Sequence, residues 1–401
     1  MDSGRGGDRG VERRTRWTLV IFAFVFAEGV ATQARGPLLA SLEDAFGVSE
    51  AALGLVAPAG TLGFLAAILA SGFLAGRIRL RRMLLLSTLC VIGALLVMSV
   101  SPLYLVFLLA LLGQGAASGA FRGLDRVVLS HLHPNRRGRM FTAYTLVWAV
   151  GAVVGPQLVS AVLGVADWRA VFVVVALCFV PALVGMARAS LPSMDAERSL
   201  SWADCRRLLG HPPVVGACVG MVFVGSIEGI QFTWLAYYAE GFYGTQTANL
   251  VLSLYLLAYI PARIGYTYAV GRVPYLALVV VGTLPIVPAL AVAFSGVTGV
   301  AFFVAVFVVG AGISGGYPTL SAYAIEAAPE YSGPLNALTN GSLYVGMAVA
   351  PALVGVLAGT YGIRQALWLT VLVATGILVA TAVTWLWTGT ARAPSPISAD
   401  E

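Results

Sequence analysis

The chain of 401 residues is strongly apolar, with 59% hydrophobic and only 10% charged residues, and it carries a net charge of +6 at pH 7. A soluble domain has about 25% charged residues, so this composition argues against a water-soluble protein and favours one that lies in a lipid bilayer. In such a protein the positive charge bears on membrane topology, and nucleic acid is not expected as a partner.

Twelve apolar runs are long enough to cross about 30 Å of hydrocarbon, a distance that takes about 20 helical residues. Lipid cannot satisfy free backbone groups, so each run is predicted to be a helix and the fold class to be an all-α integral membrane protein. We number the runs as spans 1 to 12 in chain order, at 17–40, 51–75, 83–101, 103–130, 140–165, 168–187, 213–239, 247–270, 274–294, 298–325, 334–358 and 364–387.

The second half of the chain repeats the first at an offset of 195 residues, so that Gly151 corresponds to Gly346 and Pro156 to Pro351. Two related hydrophobic bundles in one chain are typical of secondary transporters, which bind their substrate where the halves meet. The predicted organisation is a cytoplasmic tail at 1–16, a six-helix bundle at 17–187, a cytoplasmic linker at 188–212, a second six-helix bundle at 213–387 and a cytoplasmic tail at 388–401.

The arginines indicate the orientation, since all 24 basic residues are arginines. With the N-terminus in the cytoplasm, the inside segments hold 18 of them and the outside loops hold only Arg169 and Arg364. Cytoplasmic segments of membrane proteins are enriched in basic residues. We therefore predict a multi-pass protein of the cell membrane, inner or plasma, with both termini in the cytoplasm.

Three segments carry motifs. Residues 72–82, after span 2, read G-F-L-A-G-R-I-R-L-R-R; span 4 contains Gln114-Gly115-Ala116-Ala117, and span 5 contains Gly151, Gly155 and Pro156. With these motifs and its two six-span halves, the chain resembles the major facilitator superfamily over about residues 17–387. The resemblance implies two pseudo-symmetric six-helix bundles that transport by alternating access, with spans 1, 4, 7 and 10 lining the cavity.

The resemblance also implies a set of gating residues. In the segment after span 2, Arg77 and Arg81 match the family pattern, whereas Gly76 stands where the family has an aspartate. In span 5, two glycines four residues apart leave one helix face bare, and the following proline can bend the helix. This second motif is associated with antiporters in the family, and the alternative is ordinary close packing. The predicted gating residues are Gly72, Arg77, Arg81, Asp125, Arg126, Gly151, Gly155 and Pro156.

Ionisable residues inside membrane helices are costly and indicate functional sites. Glu28 lies about halfway along span 1 and Glu228 at mid-depth in span 7, each followed by a glycine. A carboxylate in a low-dielectric site takes up a proton more readily, so both are predicted to couple transport to a proton gradient, with no cofactor and no metal. The alternative is a permanent ion pair, or a neutral acid, that only holds helices together.

Two groups of arginines accompany these acids. Arg35 follows Glu28 by two helical turns and is predicted on the same face of span 1. Arg122, Asp125 and Arg126 are spaced i, i+3 and i+4 in span 4. Asp125 is predicted to pair with one of the two arginines, which leaves the other for a substrate anion or for an acid in another helix. The alternative is a network that forms a cytoplasmic gate.

Span 8 adds Arg263, which is predicted to reach either Glu228 on the preceding helix or an anionic ligand. A site that mixes aromatic and hydrogen-bonding groups suits small organic molecules. The predicted solute-binding residues are Gln33, Arg35, Arg122, Gln231, Trp234, Tyr238, Arg263, Tyr317, Asn336 and Asn340.

The sequence therefore predicts a secondary transporter that exports a small organic solute in exchange for protons, and that is a monomer in the lipid bilayer. Leu111 stands where proton-linked drug exporters have an arginine, and the arginines of the spans favour an anion, so the alternative is uptake of a sugar or organic anion. A transporter-like receptor without flux is the third alternative. An enzyme is not expected, because no catalytic cluster, metal-ligand spacing or nucleotide-binding motif is present in a suitable context.

Overall fold

The structure is a computed structural model that describes residues 3–74, 80–133, 136–189 and 206–389, without the side chains of 3–13, 72–74, 137–138, 330 and 332–334. The described residues form helices and connecting turns, with no β-strand and a single isolated bridge between Val270 and Val273. The predicted all-α class is confirmed.

Twelve helices among the described residues are long and apolar enough to cross a membrane, as the sequence predicted. Each lies close to its predicted position, because a run of apolar residues of this length is a strong signal on its own. The observed spans are Arg14–Gln33, Glu50–Ser71, Leu80–Ser99, Tyr104–Leu132, Arg139–Leu163, Trp168–Arg188, Pro212–Glu240, Thr245–Ala269, Tyr275–Phe294, Val300–Ala327, Leu335–Tyr361 and Ile363–Thr388.

Several spans are interrupted by a short turn, often where a glycine or proline weakens the helix. Spans 3, 5, 6, 7 and 11 are single helices at Leu80–Ser99, Arg137–Leu163, Trp168–Arg188, Pro212–Glu240 and Ser332–Tyr361. The interrupted ones are span 2 (Glu50–Leu53 and Val56–Leu74), span 4 (Tyr104–Arg122 and Asp125–Leu132), span 8 (Thr245–Leu257 and Tyr259–Ala269), span 9 (Tyr275–Thr283 and Ile286–Phe294), span 10 (Val300–Ile313 and Gly316–Ala327) and span 12 (Ile363–Ala366 and Leu369–Thr388).

Span 1 differs most from its prediction. Its helix runs from Ser3 to Gln33, and after a turn at 34–35 the chain continues as a 3-10 turn, Gly36–Leu38, and a helix, Leu39–Phe46. Pro37 has no N–H to donate to the carbonyl of Gln33, and it disfavours helical geometry in the residue before it. Arg35 therefore lies in a break between two helical segments, and its predicted place in a continuous helix was wrong.

The chain divides into two compact units. Unit 1 comprises Met1–Arg35 and Ala59–Ser199, and unit 2 comprises Gly36–Pro58 and Leu200–Glu401. The segment Gly36–Pro58 precedes most of unit 1 in sequence but packs within unit 2, where Gly54 lies against Gly355. The predicted boundaries of the linker and tails stay predictions, because 190–205 and 390–401 lie outside the described residues.

Within each unit, repeat-related glycines bring helix backbones into contact. In unit 1, Gly151 of span 5 lies against the carbonyl of Phe26 in span 1. In unit 2, its counterpart Gly346 of span 11 lies against the carbonyl of Val222 in span 7. A side chain at either glycine would meet backbone atoms that cannot move aside, which is how small residues hold membrane helices together.

This packing predicts opposite effects for two alanine substitutions in span 11. Gly346→Ala places a methyl group against Val222 and should lower the free energy of unfolding by about 1–3 kcal/mol through overpacking. Gly341→Ala is the control, since no heavy atom lies within 4 Å of a Cβ built there. The control should raise helix stability by about 0.5–1 kcal/mol.

Thermal unfolding of the detergent-purified variants measures both effects. Equal stability of the two variants would contradict the close contact between spans 7 and 11.

Candidate solute-binding and proton-coupling residues

Unit 1 contains a buried ion cluster that joins spans 1, 4 and 5. Arg122 donates a hydrogen bond through Nη1 to Oε2 of Glu28, and its Nε lies 3.6 Å from Oδ2 of Asp125. Tyr144 of span 5 donates a hydrogen bond of 2.5 Å to the same Asp125 oxygen. Glu28 is 5% exposed and Asp125 is fully buried, so their negative charges are compensated by Arg122 rather than by water.

Aromatic contacts complete this cluster. The guanidinium carbons of Arg122 and Arg126 lie 5.0 and 5.4 Å from the centre of the Tyr144 ring, within the range of cation–π attraction. The structure thus pairs Asp125 with an arginine, as predicted, and it also gives Arg122 a second acid in Glu28. Two acids and two arginines balance in charge, so this cluster suits a permanent structural ion network better than a site for a solute anion.

Arg35 lies apart from that cluster, in the break of span 1. Its Nη2 donates a hydrogen bond of 2.5 Å to Oε1 of Gln114, and the amide of Gln114 in turn donates to Ser118 at 3.2 Å. Gly60 of span 2 lies directly beside the guanidinium, where a Cβ would be 2.5 Å from Nη1. Gln33, at the end of the same helix, is fully buried, and neither of its amide atoms has a hydrogen-bond partner among the described residues.

Unit 2 contains a second buried cluster, around Glu228. Its Oε1 accepts a hydrogen bond of 2.9 Å from Tyr259, whose hydroxyl is 3.0 Å from that of Tyr255. The guanidinium of Arg263 lies 5.3 Å from the centre of the Tyr259 ring. Arg263 and Glu228 form no ion pair among the described residues; both contact Tyr259, because Arg263 lies one helical turn beyond that tyrosine and folds back over its ring.

The other predicted solute-binding residues of unit 2 differ in how their polar atoms are used. Trp234 donates to the carbonyl of Pro351 at 3.0 Å, and Tyr238 donates to that of Ala293 at 3.4 Å, so both are engaged by backbone. Gln231 is 2% exposed, and its Nε2 has no described partner.

The last three predicted solute-binding residues lie in spans 10 and 11. Asn340 donates to the side chain of Asn336, and Tyr317 is half-buried. Solute binding by any of the predicted residues stays a prediction.

Of the predicted gating residues, Arg81 has the clearest structural role. It donates to the carbonyls of Met186, Ala187 and Ala189 at 3.3, 2.7 and 2.9 Å, and so caps the C-terminal end of span 6. Arg77 lies outside the described residues, and the surroundings of Gly72 are likewise not described.

The span 5 motif lies inside an unbroken helix that contains Pro156. Gly155 packs against the carbonyl of Val30, and a Cβ at position 155 would lie 2.8 Å from that carbonyl oxygen. The motif therefore packs closely against span 1.

Three tyrosines that are not among the predicted site residues contact acids. Tyr144 and Tyr259 hold the buried acids, and the hydroxyl of Tyr237 lies 2.8 Å from Oε2 of Glu43 and 3.3 Å from Oε1 of Glu50. The last contact ties the segment Gly36–Pro58 to span 7 within unit 2. Only the spacing of Tyr259 and Arg263 gave a signal in the sequence; the other contacts join residues far apart in the chain.

Known proteins share this architecture. Residues 19–333 match the model of the Major Facilitator Superfamily, and a search of curated protein sequences finds no match. A bacterial homologue of the human lysosomal transporter Spinster, solved in an inward-facing and unoccupied conformation, is 15% identical with a TM-score of 0.78, covering 96% of this chain and 99% of its own.

Two further solved structures are similar over most of their length. A D-xylose–proton symporter is 12% identical with a TM-score of 0.80, covering 95% of this chain and 99% of its own. The nucleoside transporter NupG is 12% identical with a TM-score of 0.75, covering 93% and 99%. At such identities the likeness concerns the fold.

The ion cluster of unit 1 predicts a non-additive pair of mutations. Arg122→Gln removes the cation that the buried acids Glu28 and Asp125 contact. This substitution should lower the free energy of unfolding by about 3–5 kcal/mol. The double variant Glu28→Gln, Arg122→Gln also removes the charge of Glu28 and should recover the part of that loss that comes from this acid. Chemical or thermal unfolding in detergent gives the comparison, and a double variant less stable than Arg122→Gln would contradict the pairing.

Proposed function

The chain belongs to the major facilitator superfamily, and from this premise we propose that it exports a small organic solute in exchange for protons. Membership makes it a multi-pass membrane transporter of small solutes. The proposal adds the coupling ion, the direction of transport and the residue that carries the proton. It also places both termini in the cytoplasm, on the strength of the arginine distribution.

Glu228 carries the proposal. Its side chain is buried in span 7, and within the described residues its carboxyl group has the phenol of Tyr259 as its hydrogen-bond donor and forms no ion pair. A buried carboxylate is costly without a paired cation, and taking up one proton removes that cost. When access changes and water reaches the group, the ionised form is solvated and the proton leaves. Such a group exchanges protons once per change of access.

Glu28 is less suited to this role than the sequence predicted. Its carboxylate is engaged by Arg122, which also approaches Asp125. Protonating Glu28 would leave Arg122 with less compensation in a buried place, which opposes the reaction. We assign Glu28 to the structural ion network that joins spans 1 and 4, and Glu228 to proton coupling.

Export is supported by span 5. In this family the motif of Gly151, Gly155 and Pro156 is associated with antiporters, and here its glycines pack directly on the backbone of span 1. Uptake of an organic anion is the second candidate function, favoured by Arg35, whose hydrogen bond goes to a neutral glutamine.

The direction of coupling can be measured in proteoliposomes. A solute that stabilises the purified protein in a thermal-shift screen of sugars, organic acids and lipophilic cations is the one to use. Antiport predicts that this solute accumulates in vesicles whose interior is acidic, since protons leaving the vesicle drive it inward. Accumulation only when the exterior is acidic would overturn export and establish uptake by symport.

Glu228→Gln should separate transport from its driving force. The amide keeps the size of the protonated acid but cannot release a proton, so solute counterflow should persist while accumulation driven by a pH gradient is lost. Glu326→Gln is the matched control, because it makes the same change at an exposed site of unit 2. Gradient-driven accumulation by Glu228→Gln at the wild-type level would reject the assignment.

A further inference from the structure

The break in span 1 has the features of a binding site for an anionic group. Membrane transporters commonly bind ligands where a membrane helix is discontinuous, because backbone and side-chain polar groups are exposed there to a solute rather than to lipid. In this chain the helix ends at Gln33, and the next helical residue is Gly36. Arg35 lies between them.

The guanidinium of Arg35 is held in place by buried neighbours. Gln114 orients it through the hydrogen bond to Nη2, and Gln114 is itself 1% exposed and held by Ser118. Gly60 supplies the room beside Nη1, and Gly115 lets spans 2 and 4 approach closely at this level by packing on the carbonyl of Gly60. The side chain is therefore positioned by three spans, rather than extended into solvent.

Arg35 forms no ion pair within the described part of unit 1. A guanidinium stays protonated at any physiological pH. The electrostatic partner of Arg35 is Glu28, and that carboxylate is already bound by Arg122. The hydrogen bond of Arg35 to Gln114 brings no negative charge. A half-buried cation of this kind favours binding of an anion, whose charge offsets the cost of burial.

Gln33 is a second, independent sign of a ligand. It lies two residues before Arg35, is fully buried, and has hydrogen-bond partners for neither its carbonyl nor its amino group among the described residues. Leaving such a group unsatisfied is costly, so buried amides nearly always have a partner. The amide NH2 group of Gln33 can donate to a carboxylate oxygen of a ligand. Its amide carbonyl can accept from a hydroxyl or N–H of the same ligand.

We propose that Arg35 and Gln33 form an anion subsite and that the transported solute is an organic acid bound through its carboxylate. The planar guanidinium matches the two oxygens of a carboxylate, and the N–H groups not used by Gln114 supply the donors. The proposal rests on the proposed function in that the bound acid is the transported solute, but acid binding itself does not depend on proton coupling.

The test compares acids with their amides on the purified full chain. Benzoate, salicylate and nicotinate are each measured beside benzamide, salicylamide and nicotinamide by thermal shift at millimolar concentration. At least one acid should raise Tm while its amide does not. Arg35→Gln should weaken binding of that acid by about ten- to a hundredfold, as expected for loss of a charge-assisted contact. Arg364→Gln, at an exposed site, should leave binding unchanged.

A second pair of variants keeps Arg35 and its charge, so the subsite can still be tested if Arg35→Gln does not fold. Gly60→Ala should displace the guanidinium of Arg35 and weaken acid binding, whereas Gly113→Ala should not, since nothing lies within 4 Å of a Cβ at that position. Three results would overturn the subsite: no acid stabilises the wild type, amides stabilise as well as acids, or the acid binds Arg35→Gln as tightly as the wild type.

Failure of the subsite and failure of the proposed function are distinguishable. If acids bind through Arg35 but Glu228→Gln still accumulates solute along a pH gradient, the subsite stands and the coupling assignment fails. If a neutral solute is transported with dependence on Glu228 and no acid binds, the coupling stands and the subsite fails.

Discussion

Unit 1 depends on the contact of one guanidinium, that of Arg122, with two buried acids. The contact joins Glu28 of span 1 to Asp125 of span 4, and Tyr144 extends it to span 5. A buried charge that loses its partner costs more than the pair contributes. Separating spans 1, 4 and 5 would therefore expose a bare charge or require a proton to move, so this contact holds the three spans together.

Backbone contacts reinforce that conclusion in both units. Gly151 in unit 1 and Gly346 in unit 2 bring two helices so close that a single methyl group would not fit. Such contacts are lost steeply with separation, because dispersion attraction falls off within an ångström of contact. The same holds between spans 8 and 10, where Gly310 packs on the carbonyl of Tyr255. These contacts hold the helices of each unit together around its polar clusters.

The sequence predicted what depends on local pattern and missed what depends on distant contacts. Apolar length alone located the twelve spans, since lipid admits only helices there. The break at Arg35 was missed although Gly36 and Pro37 indicated it, because hydrophobicity continues across the break while helix geometry does not. The partner of Glu28 could not be predicted, because Glu28 and Arg122 are 94 residues apart and no spacing rule connects them.

The sequence repeat relates the two clusters that carry the proposed functions. At the offset of 195, Gly60 of unit 1 corresponds to Tyr255 of unit 2, and the carbonyls of these two residues contact the repeat-related glycines Gly115 and Gly310. The bare Gly60 leaves room for the guanidinium of Arg35, whereas Tyr255 fills the corresponding position and its hydroxyl joins the hydrogen bonds of Glu228.

This difference separates the two roles chemically. An amide and a protonated acid have nearly the same shape, but only the acid can release a proton, so Gln33 keeps one protonation state whereas the proposed role of Glu228 needs two. Gln33 lies two residues before a permanent cation, Arg35, which favours an anion at every pH. The acid lies among phenols that satisfy it when neutral and compensate it only in part when ionised. Under the proposed function, solute and proton bind to different units, and their exchange needs no residue that serves both.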